Sequence, residues 1–323
     1  MSVAAIAAAG AAGNVLAQPS AQSRVAGFPN RPVRLVVPLA AGGVTDVMAR
    51  MIAKKLGESW GQQVIVDNRP GAGTVIATNF VAKAPADGYT MAVVVGAHMI
   101  NPSFRKDLPY DTLKDLAGVS LVAQTHLALI ASASFPANTI AELIALARSN
   151  PGKYSYGTAG VGTAVHIAME MLRTRAGMDI VHVPYKGGAL ALQDILGGNI
   201  PMVTEALFSV APHIKSGKLK VLAMMSPTRV ASAPEYPTIA ETVPDVSSTS
   251  TLGIVVPSAT PRELITKINA GLLEALKSAD LIQRMMEVGW EPVGTTPEAF
   301  DELIRAEIPK WQRVVKDLGL KVE

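Results

Sequence analysis

VRLVVPLAAGGVTDVMARMIAKKL, residues 33–56, decides the fold class. Val33–Pro38 is a β-rich run that breaks into a loop carrying Gly42-Gly43. Val47, Met48, Met51, Ile52 and Leu56 then recur at the spacing of one apolar helix face. The unit is therefore strand, glycine loop, helix, and it repeats at once. Val64–Asp67 reads as the next strand, Asn68–Gly73 as its loop, and 74–84 as a helix ending before Pro85. Tyr89–Val95 returns as a strand. This rhythm predicts parallel sheets covered by helices on both faces.

The rhythm restarts near residue 119. Leu121-Val122 and Leu127–Ala131 are strand-like, and Ile140–Arg148 is a helix stopped by Asn150-Pro151-Gly152. Tyr154–Tyr156 leads into a second glycine loop, followed by a helix over 164–176. Ile180–Val183, a helix over 189–196 and Leu219–Met225 complete a second α/β unit. Leu252–Val256 reads as a strand returning to the first unit, ahead of helices at 261–277, 279–287 and 297–317. The expected architecture is two α/β lobes with crossings near 119–125 and 247–254. Lobe 1 takes 28–123 and 250–323, with Trp60, Trp290 and Trp311; lobe 2 takes 124–249. Small ligands usually sit in a cleft between such lobes.

Composition removes several function classes. The 323 residues are 49% hydrophobic and 17% charged, which excludes intrinsic disorder. Twenty-nine Lys+Arg against 26 Asp+Glu leave only +3, with no basic block, so a nucleic-acid surface is not expected. The absence of cysteine removes disulfides, thiolate metal sites and cysteine nucleophiles together. Residues 1–17, MSVAAIAAAGAAGNVLA, carry no charge and end in a small residue before Gln18, as a signal peptide does. No Lys or Arg precedes the run, a departure from the usual pattern. Residues 18–27 read as a flexible lead.

Two loops could carry chemistry. Leu39, Ala41, Gly42, Gly43, Thr45 and Asp46 join a strand end to a helix start, where exposed N–H groups and the helix dipole favour an anion. A tight turn capped by Thr45 or Asp46 is the structural alternative. Gly157, Thr158, Ala159, Gly160, Gly162 and Thr163 repeat the device before the helix carrying His166. The first is not a phosphate loop, since no Lys-Ser/Thr follows its glycines, and the second lacks dinucleotide glycine spacing. Two anion-friendly loops in two lobes point to a carboxylate or phosphate gripped between them.

Enzymatic constellations are missing: there is no G-x-S-x-G, no H-E-x-x-H and no metal-ligand spacing among the five histidines. No cofactor or metal is expected. His98 and His166 adjoin the candidate loops, whereas His126, His182 and His213 read as packing or helix-end residues. Asp67 and Glu205 are candidate site carboxylates with no acid/base partner. The Met pairs 224–225 and 285–286 read as core.

Ile180–Gly187 (IVHVPYKG), Pro212–Leu219 (PHIKSGKL), Asn68–Gly73 (NRPGAG) and Ala86–Thr90 (ADGYT) closely resemble the Bug family, the extracytoplasmic solute receptors of tripartite tricarboxylate transporters. The resemblance runs from about Phe28 to Leu320. It implies a periplasmic, two-lobed binding protein of type II that is not an enzyme. It also implies a monomer that takes a small organic carboxylate and hands it to the membrane subunits of the transporter. Di- and tricarboxylates, acidic amino acids and aromatic acids are the candidate ligands. A sensor docking on a membrane signalling protein is the alternative. Carried over, Leu39–Asp46 and Gly157–Thr163 would hold the carboxylate, with His166, the Tyr185–Gly187 turn and Glu205 on the second-lobe side. Glu205 has two readings: it caps its helix or pairs with Lys186, or it meets a donor on the far end of the ligand, with Phe208 one turn along to pack on the ligand body. The chain departs from the family at Ala41, at Thr74-Val75 after Gly73, and at Thr204–Ser209, where ligand-specific contacts are expected.

Overall fold

Strand β1 (Val33–Val37) leaves Val33, Leu35, Val36 and Val37 without solvent exposure, because helices cover both of its faces. The computed structural model describes residues 27–161, 163–185, 187–317 and 319. The expected signal segment, the lead up to residue 26, and the candidate site residues Gly162 and Lys186 lie outside them. Helix α1 (Val44–Trp60) follows β1 and buries Met48, Ala49, Ile52, Ala53 and Leu56. The expected apolar face is rotated slightly, and Val47 is 37% exposed. Strand β2 (Val64–Asn68), helix α2 (Val75–Ala82) and strand β3 (Thr90–Val95) continue the alternation, with β2 and β3 both parallel to β1.

The next elements correct the expectation of wholly parallel sheets. Helix α3 (Ala97–Phe104), not foreseen in the sequence, turns the chain back. Strand β4 (Leu116–Thr125) then runs antiparallel to β10 (Ser250–Pro257), and β10 runs antiparallel to β3. With β11 (Glu291–Pro292) at its edge, the first sheet has the order β11-β4-β10-β3-β1-β2. Strand β4 thus keeps the direction of β1 to β3 and β10 is reversed between them, and these two strands carry the chain out to the second sheet and back. A strand that must leave at the C-terminal edge of β1 to β3, and one that must re-enter there, have opposite directions.

The second sheet contains β5 (Leu127–Ser132), β6 (Ser155–Thr158), β7 (Val181–Pro184), β8 (Met202–Ala206) and β9 (Leu219–Met224), in the order β7-β6-β8-β5-β9. Helices α4 (Ile140–Ser149), α5 (Ala164–Arg175), α6 (Gly188–Leu196) and α7 (Leu207–Lys215) alternate with them. Strand β8 and helix α7 escaped the sequence reading. Ala206 passes directly into Leu207, so no Gly or Pro marks the boundary. Helices α8 (Arg262–Ala275), α9 (Ala279–Glu287) and α10 (Pro297–Asp317) return to the first sheet. On the two-faced α9, Met285 is buried but Met286 is 47% exposed, so only half of that pair is core.

Strand register fixes where the two sheets face each other. Leu252 pairs with Val95 and Ser250 with Thr125, so the crossings leave the first sheet at the C-terminal edge of β1 to β3. Leu127 pairs with Ala206, so the chain enters the second sheet beside the C-terminal end of β8, and β6 and β7 run parallel to β8. The loops that follow β1, β2, β6 and β7 therefore lie at facing edges, on either side of the crossings.

Candidate functional site

In the first loop, Gly42 adopts φ +84°, a backbone conformation that side chains disfavour, and lets the chain turn sharply after β1. Gly43 is the residue that precedes α1, and no side chain caps the amides of the first turn. Neither Thr45 nor Asp46 acts as the cap. Asp46, only 2% exposed, instead accepts from Gly42 N–H at 2.9 Å, Arg50 Nε at 2.9 Å and Asn68 Nδ2 at 2.9 Å. Asn68 Nδ2 also donates to the Leu39 carbonyl at 3.0 Å, and Arg50 donates to Asn68 Oδ1 at 3.1 Å. Burial opposes ionisation of Asp46, but the bonds from Arg50, Gly42 and Asn68 outweigh it and hold its pKa below the ordinary value. Asp46 is thus a brace for the loop and has no free oxygen to present. Arg50 and Asn68, which complete the brace, were not singled out from sequence; the position of Asn68 at the head of the N-R-P-G-A-G motif was the available signal.

After β2 the chain holds four successive residues at positive φ: Gly71 at 130°, Ala72 at 46°, Gly73 at 60° and Thr74 at 81°. Two of these are not glycine, a strain that persists only where surroundings impose it. Asn101 of α3 supplies part of that, donating to the Gly73 carbonyl at 2.9 Å. This segment lies at the same sheet edge as the first loop.

In the second loop Gly160 has φ +141°, and a β-carbon there would come within 3.3 Å of the Tyr185 carbonyl. Thr158 Oγ1 lies 2.7 Å from His182 Nε2 and accepts from Gly160 N–H at 3.2 Å. Thr163 is the N-cap of α5: its hydroxyl accepts from His166 N–H at 3.4 Å and donates to the Gly160 carbonyl at 2.8 Å. That hydroxyl serves the loop itself. Val161 projects from the loop, 71% exposed.

Beneath this loop the rings of His166 and His182 stack with centroids 4.2 Å apart, and Tyr156 stacks on His182 at 5.0 Å. Tyr156 donates to Glu170 at 2.7 Å, and Arg173 holds the same carboxylate through Nε and NH2. Burial lowers the pKa of both histidines, that of His182 to about 4, where the neighbouring His166 adds to the effect. Both rings are accordingly neutral at pH 7. His182, expected as a packing residue, also fixes the Thr158 hydroxyl that orients the loop.

His98 is not brought to either loop. It is 2% exposed and borders a cavity of about 210 Å³ with Thr112, Gly118, Ser258, Asp301 and Arg305, and among the described residues neither ring nitrogen has a hydrogen-bond partner. Burial pushes its pKa down to about 4. Asp67 is held by Arg69 at 3.0 Å and Arg34 at 3.5 Å. Glu205 and Phe208 do reach the facing edge, at the end of β8 and the start of α7. Glu205 lies against Gly188, where α6 begins, and Phe208 lies against Gly289, which precedes β11 of the first sheet. Among the described residues no three His, Asp or Glu side chains gather as a metal site.

Two α/β lobes, joined by paired crossings and presenting glycine loops at facing sheet edges, define a solute-binding protein of the two-lobed kind, and the solved relatives of this fold are periplasmic. The family is narrower than that. Residues 48–320 match the receptor family of tripartite tricarboxylate transporters, and the chain belongs to it. It is 35% identical over 299 residues to the protein BugT of Bordetella pertussis, covering 92% of each chain. Among solved structures, an adipate-bound protein of R. palustris is 34% identical with a TM-score of 0.79, covering 90% of this chain and 98% of that one. MatC of Rhodopseudomonas palustris with bound malate is 29% identical with a TM-score of 0.76, covering 89% and 100%. The chain is thus a binding receptor and not an enzyme, as the resemblance of its motifs implied.

Proposed function

We propose that the cleft captures one carboxylate of a small organic acid between the first-turn amides of α1 and the Gly157–Thr163 loop, and that the loaded protein delivers it to a tripartite transporter. The observation that carries this reading is the uncapped start of α1 behind Gly42-Gly43, set at the sheet edge that faces the second glycine loop. Unpaired amides at a helix start, reinforced by the helix dipole, attract an anion. The internal commitment of Asp46, Thr158 and Thr163 supports a site built chiefly from main chain, with the polar side chains spent on holding its shape. Two relatives hold organic acids, adipate in one and malate in the other, which supports the capture of a carboxylate without fixing the far end of this chain's ligand.

Calorimetry with adipate, malate and simple monocarboxylates tests the capture step. At least one acid should bind, and Gly160→Val, which fills the approach to the second loop, should abolish binding while the fold survives. Retained binding in that variant would remove the second loop from the site. Loss of acid uptake in a strain lacking the protein, restored by the wild-type gene, tests delivery.

A further inference from the structure

Glu205 is a carboxylate in an unusual position. It stands at the cleft end of β8, half-buried, and Oε1 accepts from the Ala206 N–H at 2.8 Å. Its other oxygen, Oε2, lies directly over the α-carbon of Gly188. A β-carbon on Gly188 would come within 2.9 Å of the carboxylate carbon and closer still to Oε2, so the approach requires glycine. The first turn of α6 does not account for the arrangement: Gly187 precedes it, and no side-chain oxygen caps it. Among the described residues no ion pair reaches Glu205, and no charged neighbour perturbs it. Burial raises its pKa, and only the Ala206 N–H and the Ser209 hydroxyl act against that. Asp46, in the opposite loop, is a contrast, because Arg50 and two further donors satisfy it.

The wall around Glu205 is continuous with the second loop. Gly160 abuts the Tyr185 carbonyl, and Gly188, three residues beyond Tyr185, meets the Glu205 carboxylate. Phe208, one turn along α7, closes the wall by packing on Gly289 of the other lobe. A ligand seated by one carboxylate at the glycine loops therefore extends toward a second group that can only accept hydrogen bonds while ionised.

Resting on the carboxylate-capture reading, we propose that Glu205 is the specificity-determining residue of the cleft. It accepts a hydrogen bond from an amine or hydroxyl at the far end of the ligand and turns away acids ionised at both ends. A half-buried carboxylate that meets no cation among the described residues gains most from a charged donor and is repelled by a second carboxylate.

The experiment is calorimetry at pH 7 with matched probes of four, five and six carbons: the ω-amino acid, the dicarboxylate and the plain monocarboxylate of each length. Wild-type protein should bind the best ω-amino acid about tenfold or more tighter than the dicarboxylate of the same length. In Glu205→Gln that preference should collapse or invert, because the amide can donate to a carboxylate. Gly188→Ala keeps every charge but pushes the Glu205 carboxylate aside, and it should narrow the preference in the same direction. It also serves if Glu205→Gln fails to fold. An unchanged preference in both variants overturns the proposal, as does a wild-type protein that favours the dicarboxylate. If no acid of any length binds, the capture reading itself fails and takes this inference with it. Binding that persists without discrimination overturns the inference alone.

Discussion

Gly289 presents its α-carbon to the ring of Phe208 with no room for a β-carbon between them, although the two residues belong to different lobes. Gly289 also has φ +77°, and its carbonyl accepts from the Thr125 hydroxyl at the outgoing crossing. Glu291, two residues on, accepts from Ser232 at 2.8 Å and lies 2.8 Å from His126 Nε2. The lobes therefore meet at a tie beside the crossings as well as through the crossings themselves.

Gly289→Ala should strain this tie twice, through its backbone conformation and through the Phe208 ring. The expected cost is about 1–3 kcal/mol in urea unfolding. Small-angle scattering should show a larger radius of gyration for the ligand-free variant than for the wild type. A variant of parental stability and radius would show that the contact is easily repacked.

Asp46→Asn should loosen the first loop. The carboxamide cannot accept at full strength from Arg50, Asn68 and Gly42 together, and a buried donor left unpaired costs about 1–3 kcal/mol. The pH dependence has a defined sign. The folded pKa of Asp46 lies below its ordinary 3.8, so its stabilisation is complete above that value and is lost as pH falls through the lowered one. Acid unfolding curves taken below pH 4 should therefore be flatter in Asp46→Asn than in wild type. Superimposable curves would count against the brace.

His98→Leu should act in a different pH window. The ring is held neutral in the fold, with a pKa pushed from 6.5 down to about 4. Its stabilisation is whole above pH 6.5 and declines as pH falls toward 4, where the unfolded chain binds the proton first. Leucine removes both unpartnered nitrogens and this proton linkage. Thermal melts should show the variant gaining on the wild type between pH 7 and pH 5. A constant offset across that range would mean that His98 is not titrating.

Thr163→Ala and Gly160→Val should separate stability from binding. Loss of the Thr163 cap should cost about 1 kcal/mol of stability, with Thr163→Ser largely restoring it. Gly160→Val should leave the melting temperature nearer to wild type than its binding, since the strain is confined to a loop. If Thr163→Ala abolishes binding without destabilising the protein, its hydroxyl serves the ligand and not the helix.

The strand–loop–helix units were legible because buried strands such as Val33–Val37 and faces such as Met48, Ile52 and Leu56 repeat at fixed periods. Both glycine loops were legible for a related reason: Gly42 and Gly160 take positive φ, and that need shows in the sequence. The reversal of β10 between β3 and β4 was not, since a strand's own pattern does not say which neighbour it joins. Side-chain commitments were equally hidden. Nothing local reveals that Asp46 turns to Arg50 and Asn68, that His182 reaches Thr158, or that His98 turns into a cavity bordered by α10. Each depends on chain segments that meet only after folding.

The pairing of Ser250 with Thr125 has a kinetic consequence. The β4–β10 ladder joins strands separated by the entire second sheet, so forming it from an extended chain would require closing one very large loop. The entropic cost of closure rises with the logarithm of loop length. Prior folding of the inserted unit shortens that loop to almost nothing, because its own strands bring the chain entering at Leu127 close to the chain leaving after Met224. The inserted unit should therefore gain hydrogen-exchange protection first during refolding, with β4 and β10 following as one late step.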